Sequence, residues 1–249
     1  MKKALLASLV LIMFFITGIV QAINLDDFNG PNLDKMWTYR DQAKKGTVKF
    51  KDGMLMLDLL AGADMYVQGT DGGVCFLMDP PDLDNFSIET MVNVCVNGTQ
   101  PPACQAGPLF FNVDEWAYSL WGPFNAGQDT RLEDCNGGGA YRWRDQTQIG
   151  VNIDKVAIDK DVYLMITKTG DQLEFFAKGD ADGKWISGGV DKLLAPRYKF
   201  GKYKVGLFAK SWGGSVNSTL AYDYFTIPEI AKAVDRLGKL TTTWSSLKK

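Results

Sequence analysis

The sequence predicts an all-β protein built as a sandwich of two antiparallel sheets, and three observations carry that prediction. At least ten short segments alternate apolar with polar residues. Gly, Asp, Asn and Pro separate them at the spacing of strands in a sandwich or barrel. Helical periodicity is confined to the last 22 residues, where Ile230, Val234 and Leu237 fall on one face. At 249 residues the chain suits one such domain, residues 23–227, between a leader and a C-terminal tail, residues 228–249.

Lys2 and Lys3 precede an apolar run from Ala4 to Val20, and "VQA" closes it with the small residues that a signal peptidase reads. Residues 1–22 are therefore expected to be a signal peptide, and the mature chain to begin near Ile23 in an extracellular or periplasmic space. The competing reading is an uncleaved anchor, since a run of about 17 residues reaches the shortest membrane span.

Further along, "TVKF" and "MLMLDLL" flank Lys51, Asp52 and Gly53, an Asp-Gly turn with the positive φ that a hairpin demands. In "NFSIETMVNVCV", Phe86, Ile88, Thr90, Val92, Val94 and Val96 share one face, which is expected to be core. "PLFFNVDEWAYSLWG" supplies two strands about Asp114 and Glu115. "VYLMITKTGDQLEFFAKGDADGKWISGG" is a meander that turns at Thr169-Gly170-Asp171 and at Asp180 to Gly183. "YKVGLFAKSW" and "STLAYDYFTI" add two final strands. Pro228 to Gly238 is expected to form a short helix on a sheet. Beyond it Trp244 is left to dock on the domain, to meet a protein partner, or to stay disordered.

Asp180, Asp182 and Gly183 form an Asp-x-Asp-Gly motif that raises the question of calcium. An EF-hand loop needs oxygen ligands at positions 1, 3, 5 and 12 with Gly at 6. With Gly183 at position 6, Lys178 occupies position 1 and Gly189 position 12, so both of those ligands fail. Strands on either side make the motif the tip of a hairpin, where Asp and Gly are favoured for backbone reasons.

The chain contains no histidine. Ser-His-Asp and Cys-His nucleophiles are therefore excluded, as are His-bearing zinc sites. Without Lys2 and Lys3, the remaining Lys and Arg against 29 Asp and Glu leave a net charge of −4. Nothing resembles the basic stripe that phosphate backbones require, so nucleic acid is not an expected partner. The three glycines of "CNGGGAYRW" lack a following Gly-Lys-Ser/Thr and read as a loop. Asn97 and Asn217 begin glycosylation sequons, which matter only in a eukaryotic source. The four cysteines lie in the exported part, where an even count favours disulfides. Three pairings are open; Cys95 with Cys104, and Cys75 with Cys135, are preferred.

Seven segments in order resemble the concanavalin A-like lectin/glucanase superfamily, in its secreted LamG-like branch. They are "DDFNGPNLDKMWT", "DGMLMLDLLAGADMY", "DNFSIETMVNV", "QAGPLFFNVDEWAYSLW", "VYLMITKTGDQLEFFAKGDADGKW", "YKVGLFAKS" and "LAYDYFTI". That branch is similar to the accessory domains of β-xylosidases. The resemblance implies a jelly-roll sandwich with a concave face or rim used for glycans, and in the wider superfamily often a rim calcium, which is left open as a cofactor. Glucanases of the superfamily carry Glu-x-Asp on one strand, because retaining chemistry needs carboxyls about 5 Å apart. None of Glu89, Glu115, Glu133, Glu174 and Glu229 has an acid two residues later.

Sugar binding without catalysis asks for aromatic faces and planar polar groups. The stretch from Glu115 to Arg144 is rich in both. Trp116 and Tyr118 would share one face of a strand with Leu120, while Trp121 shares the other with Ala117 and Ser119, a combination suited to an open platform. Tyr141 and Trp143 would oppose Arg142 and Arg144. Trp212, in a Gly-rich connection, and Asp64 with Tyr66 complete the ligand candidates; Trp37 and Trp185 are taken as structural. The expected function is a secreted, non-catalytic carbohydrate-binding module with a glycan or polysaccharide ligand. The alternatives are a glycan hydrolase or lyase with an unrecognised carboxylate site, and a structural or adhesive surface module.

Overall fold

The computed structural model describes residues 25–65, 73–94, 96, 103–114, 116–125, 130–137, 160–191, 202–212 and 217–231. Among these, thirteen strands follow in chain order: β1 (Thr38–Arg40), β2 (Gly46–Lys51), β3 (Met54–Leu59), β4 (Val74–Met78), β5 (Asn85–Asn93), β6 (Cys104–Asn112), β7 (Ala117–Asn125), β8 (Thr130–Gly137), β9 (Val162–Thr169), β10 (Gln172–Lys178), β11 (Ile186–Asp191), β12 (Lys204–Ser211) and β13 (Ser218–Thr226). They build a six-stranded sheet in the order β1-β4-β12-β6-β7-β8 and a seven-stranded sheet in the order β11-β10-β9-β5-β13-β3-β2. The all-β sandwich expected from the sequence is the observed architecture.

Local chemistry explains the hairpins. Asp52 and Gly53 have φ of 54° and 75°, so both central residues of the β2–β3 turn are left-handed, the form whose twist matches its flanking strands. Between β10 and β11 the Gly183 amide donates to the Asp180 carbonyl at 3.2 Å. The Asp-x-Asp-Gly segment is thus a turn, as expected.

The period of two then sorts the side chains. Phe86, Ile88 and Val92 on β5, Leu164 and Ile166 on β9, and Phe175 on β10 meet Phe110 on β6 and Val205 and Leu207 on β12 in one buried core. Val96 breaks the expected pattern at 37% exposure, because β5 ends at Asn93 and alternation ends with it. β6 is buried at every position. Its second face joins Leu77, Phe208, Tyr118 and Leu120 in a smaller apolar cluster on the side of the six-stranded sheet away from the main core.

Two devices tie down the ends of the domain. Asp26 bridges to Phe225, and its carboxylate accepts from the Phe28 amide at 2.8 Å and from Trp37 Nε1 at 2.7 Å. Beyond Thr226, Glu229 Oε2 accepts from the Ser87 amide at 3.0 Å, and residues 228–231 are helical with Ile230 against the core. The expected C-terminal helix begins where it was placed; the rest of the tail, including Trp244, lies outside the described residues.

Asp26 supports a prediction. Asp26→Ala leaves two donors without their acceptor and is expected to cost about 2 kcal/mol in urea unfolding. Burial holds the Asp26 carboxyl above its ordinary value of 3.8, against its two hydrogen bonds. The folded state therefore keeps that proton longer than the unfolded chain does. Between 3.8 and the raised value, stability falls as pH rises, and the alanine variant should lose this slope.

One cysteine pairing is overturned. Cys75 is on β4, and Cys135 is on β8 opposite Leu120. Three strands stand between them, which at about 4.8 Å per strand puts them about 19 Å apart, beyond the reach of a disulfide. Cys104 is buried on β6; Cys95, its expected partner, lies outside the described residues.

Candidate ligand-binding surface

The aromatic residues singled out on β7 are not a platform. Trp121 is 0% exposed and points between the sheets, its ring 5.5 Å from Phe175 and its Nε1 donating to the Phe176 carbonyl at 2.9 Å. Ala117 and Ser119, on the same face of the strand, are buried as well. Tyr118 at 0% and Trp116 at 3% belong to the second apolar cluster. Trp116 Nε1 donates to the Met65 carbonyl at 3.3 Å, and the Arg40 guanidinium sits 5.0 Å over the indole. A strand buried on both faces has no face left for a sugar.

Two other candidates come together. The Ser211 amide donates to the Ala63 carbonyl at 2.8 Å, which sets Trp212 and Asp64 on neighbouring segments. Both are half-buried. Trp212 stacks on Phe124 at 4.8 Å, with the Lys210 ammonium 5.4 Å from its ring centre, so part of its aromatic face is already occupied. Tyr66, Arg142, Trp143 and Arg144 lie outside the described residues.

A different aromatic surface lies on the outer face of the seven-stranded sheet. On β9, Val162, Leu164 and Ile166 are buried, so the alternation turns Tyr163 outward. A bulge in β13 between Tyr222 and Phe225 sets Asp223 and Tyr224 against Met91 of β5, and bulges re-aim side chains in this way. The Tyr163 and Tyr224 rings are 6.4 Å apart. Lys178 completes the strip from β10: its Nζ is 5.1 Å from the Tyr163 ring centre and 4.7 Å from that of Trp185, pinned by a 2.6 Å hydrogen bond to the Ala181 carbonyl. Trp185, Lys178, Tyr163 and Tyr224 are all partly exposed. Trp37, by contrast, is buried and tied to Asp26, the structural role expected of it.

Carboxylates surround this strip. The Tyr224 hydroxyl donates to Glu89 Oε1 at 2.5 Å, and Asn93 Nδ2 donates to Asp161 Oδ1 at 2.8 Å. Burial raises the Tyr163 hydroxyl above its ordinary range, and Asp161, Asp223, Asp180 and Asp182 push the same way. Burial likewise raises the Asp223 carboxyl, with Asp161 and Asp27 adding to it. Burial, with Glu89 adding to it, also raises the Tyr224 hydroxyl, so both tyrosines stay neutral at neutral pH. Among the described residues no group of three or more Asp, Glu or Cys gathers closely enough to hold a metal.

No family model matches the chain, and none of the curated proteins does. Solved structures do match. Xylan β-1,4-xylosidase from Bacillus halodurans C-125 superimposes with a TM-score of 0.61 at 17% identity, over 81% of this chain and 38% of that one. A functionally unknown protein from Saccharomyces cerevisiae gives 0.54 at 13%, over 77% of this chain and 95% of that one. The CBM2 module of Lactobacillus casei BL23 phage J-1 evolved Dit gives 0.51 at 15%, over 83% and 95%. The likeness is one of fold. The chain spans well under half the length of the xylosidase, and a shared sandwich does not establish a shared site.

The strip unites residues that sequence inspection left apart. Tyr163 was legible as an aromatic on the polar face of an otherwise regular strand. Tyr224 was not, because an unseen bulge decides its direction. Trp185, expected to be structural, is partly exposed beside the Lys178 ammonium.

Proposed function

We propose that the protein is a non-catalytic glycan-binding sandwich whose ligand lies across the seven-stranded sheet, over Trp185, Tyr163 and Tyr224. The observation that carries this is the strip itself, in which three partly exposed rings lie in a row, with the Lys178 ammonium held between Trp185 and Tyr163 and with Glu89 and Asp223 alongside. Sugar rings stack their C–H faces on such aromatics, while hydroxyls bond to the charged groups beside them. The fold likeness to a xylosidase and to a CBM2 module supports the same reading. In this proposal the chain acts outside the cell after loss of residues 1–22, and calcium is a candidate accessory ligand.

The test is a glycan array and polysaccharide pull-down on the mature chain, with calcium and with chelator. Tyr163→Ala and Trp185→Ala should each weaken binding about tenfold, and the thermal midpoint should stay close to that of the parent. Binding that ignores both substitutions, or silence across a broad panel, would remove the strip as the site. Loss of binding in chelator alone would establish the calcium.

A further inference from the structure

A second opening lies at one end of the six-stranded sheet, away from the strip. In that sheet β12 runs antiparallel between β4 and β6. The end of β4, the end of β6 and the start of β12 therefore lie side by side. The segments at those strand ends, residues 79–82, 113–114 and 202–204, line a cavity of about 590 Å³, within the range of small-molecule sites, about 300–1,000 Å³.

The walls are held in place. Pro80 and Pro81 have fixed φ, and the Leu83 amide donates to the Pro81 carbonyl at 2.8 Å. Opposite, the Asp114 amide donates to the side-chain oxygen of buried Asn112 at 3.1 Å. Tyr203 is half-buried, its ring 5.5 Å from Phe110, which stacks in turn on Phe86 at 5.8 Å. The core thus braces an aromatic ring at the edge of the cavity.

The charges around it carry both signs. Lys204 and Asp79 pair with each other at 2.5 Å. Asp82 and Asp114 remain on the lining with Lys202. With Lys204 engaged by Asp79, two carboxylates face one ammonium, so an anionic ligand is disfavoured. An uncharged polyhydroxylated ring escapes that penalty, since its hydroxyls donate to Asp82 and Asp114 and accept from Lys202, with a C–H face left for Tyr203. We propose that this cavity binds a neutral saccharide unit, as a site separate from the strip. The proposal does not rest on the glycan reading of the strip.

The test is an amide-shift titration of the 15N-labelled mature chain with glucose, xylose, mannose, maltose and xylobiose, with glucuronic acid as the anionic comparator. Amides of Asp82, Asp114 and Tyr203 should move and saturate with at least one neutral sugar, about fivefold more tightly than with glucuronic acid. Asp82→Asn with Asp114→Asn, both at exposed positions that the fold does not need, should weaken that binding about tenfold, while Tyr163→Ala should leave it unchanged. Absence of saturating shifts here with every neutral sugar, equal binding of glucuronic acid, or full binding by the double variant would each overturn the proposal. Shifts confined to Tyr163 and Tyr224 would leave the strip reading standing and end this one.

Discussion

Trp121→Ala is expected to cost the fold about 3–5 kcal/mol, a large share of the roughly 5–15 kcal/mol that holds a domain together. Trp121 is wholly buried on β7 of one sheet, and it reaches β10 of the other with a hydrogen bond to Phe176 and a ring contact to Phe175. Alanine removes both links and leaves a cavity between the sheets. Urea unfolding with fluorescence or circular dichroism measures the loss. Trp121→Phe restores much of the volume but leaves the Phe176 carbonyl without its donor, at about 1–3 kcal/mol. A Trp121→Ala protein that melted like the parent but lost glycan binding would show that the indole faces ligand instead.

The second large effect is expected at Gly206, in the middle of β12. Its φ is +158°, and a Cβ there would lie 1.8 Å from the Phe76 carbonyl oxygen and 2.9 Å from its carbon. Those are backbone atoms of the adjacent β4 strand, so no side chain can swing aside. Relief requires β12 to move, and β12 is bonded to β4 on one side and β6 on the other. Gly206→Ala should therefore lose more than about 4 kcal/mol, in the exceptional class for one substitution, or accumulate only as aggregate. Gly62→Ala is the control. Gly62 also has positive φ, at +73°, but an added Cβ would meet open space, so only the left-handed backbone penalty of about 1–2 kcal/mol applies. Similar melting points for the two variants would mean that β4 and β12 are less closely paired than described.

Several elements were legible because their signals are local. The β2–β3 hairpin followed from Asp52-Gly53, the meander from Gly170 and Asp180 to Gly183, and the inner face of β5 from the alternation of Phe86, Ile88, Thr90 and Val92. β4 and β8 carried no comparable signal. Val74 to Leu77 on β4 are buried without a break, which erases the alternation, and "TRLEDCNG" of β8 holds few of the apolar or β-branched residues that mark a strand.

The candidate site was less legible, for a different reason. Alternation correctly set Tyr118 and Leu120 against Ala117 and Trp121, but it cannot say what either face meets. The sheet containing β7 carries a core on both sides, so neither partition left an exposed ring.

By itself the sequence determined the class of fold, the hairpin turns, the absence of histidine chemistry and the lack of the glucanase acid pair. Each of these depends on residues close together in the chain or on composition alone. Only the tertiary structure decided that Cys75 and Cys135 stand four strand spacings apart, that Trp121 joins the sheets, and that Trp185, Lys178, Tyr163 and Tyr224 form one strip. Those facts depend on strand order, on which sheet faces are covered, and on one bulge, all of them outcomes of long-range pairing that local pattern does not encode.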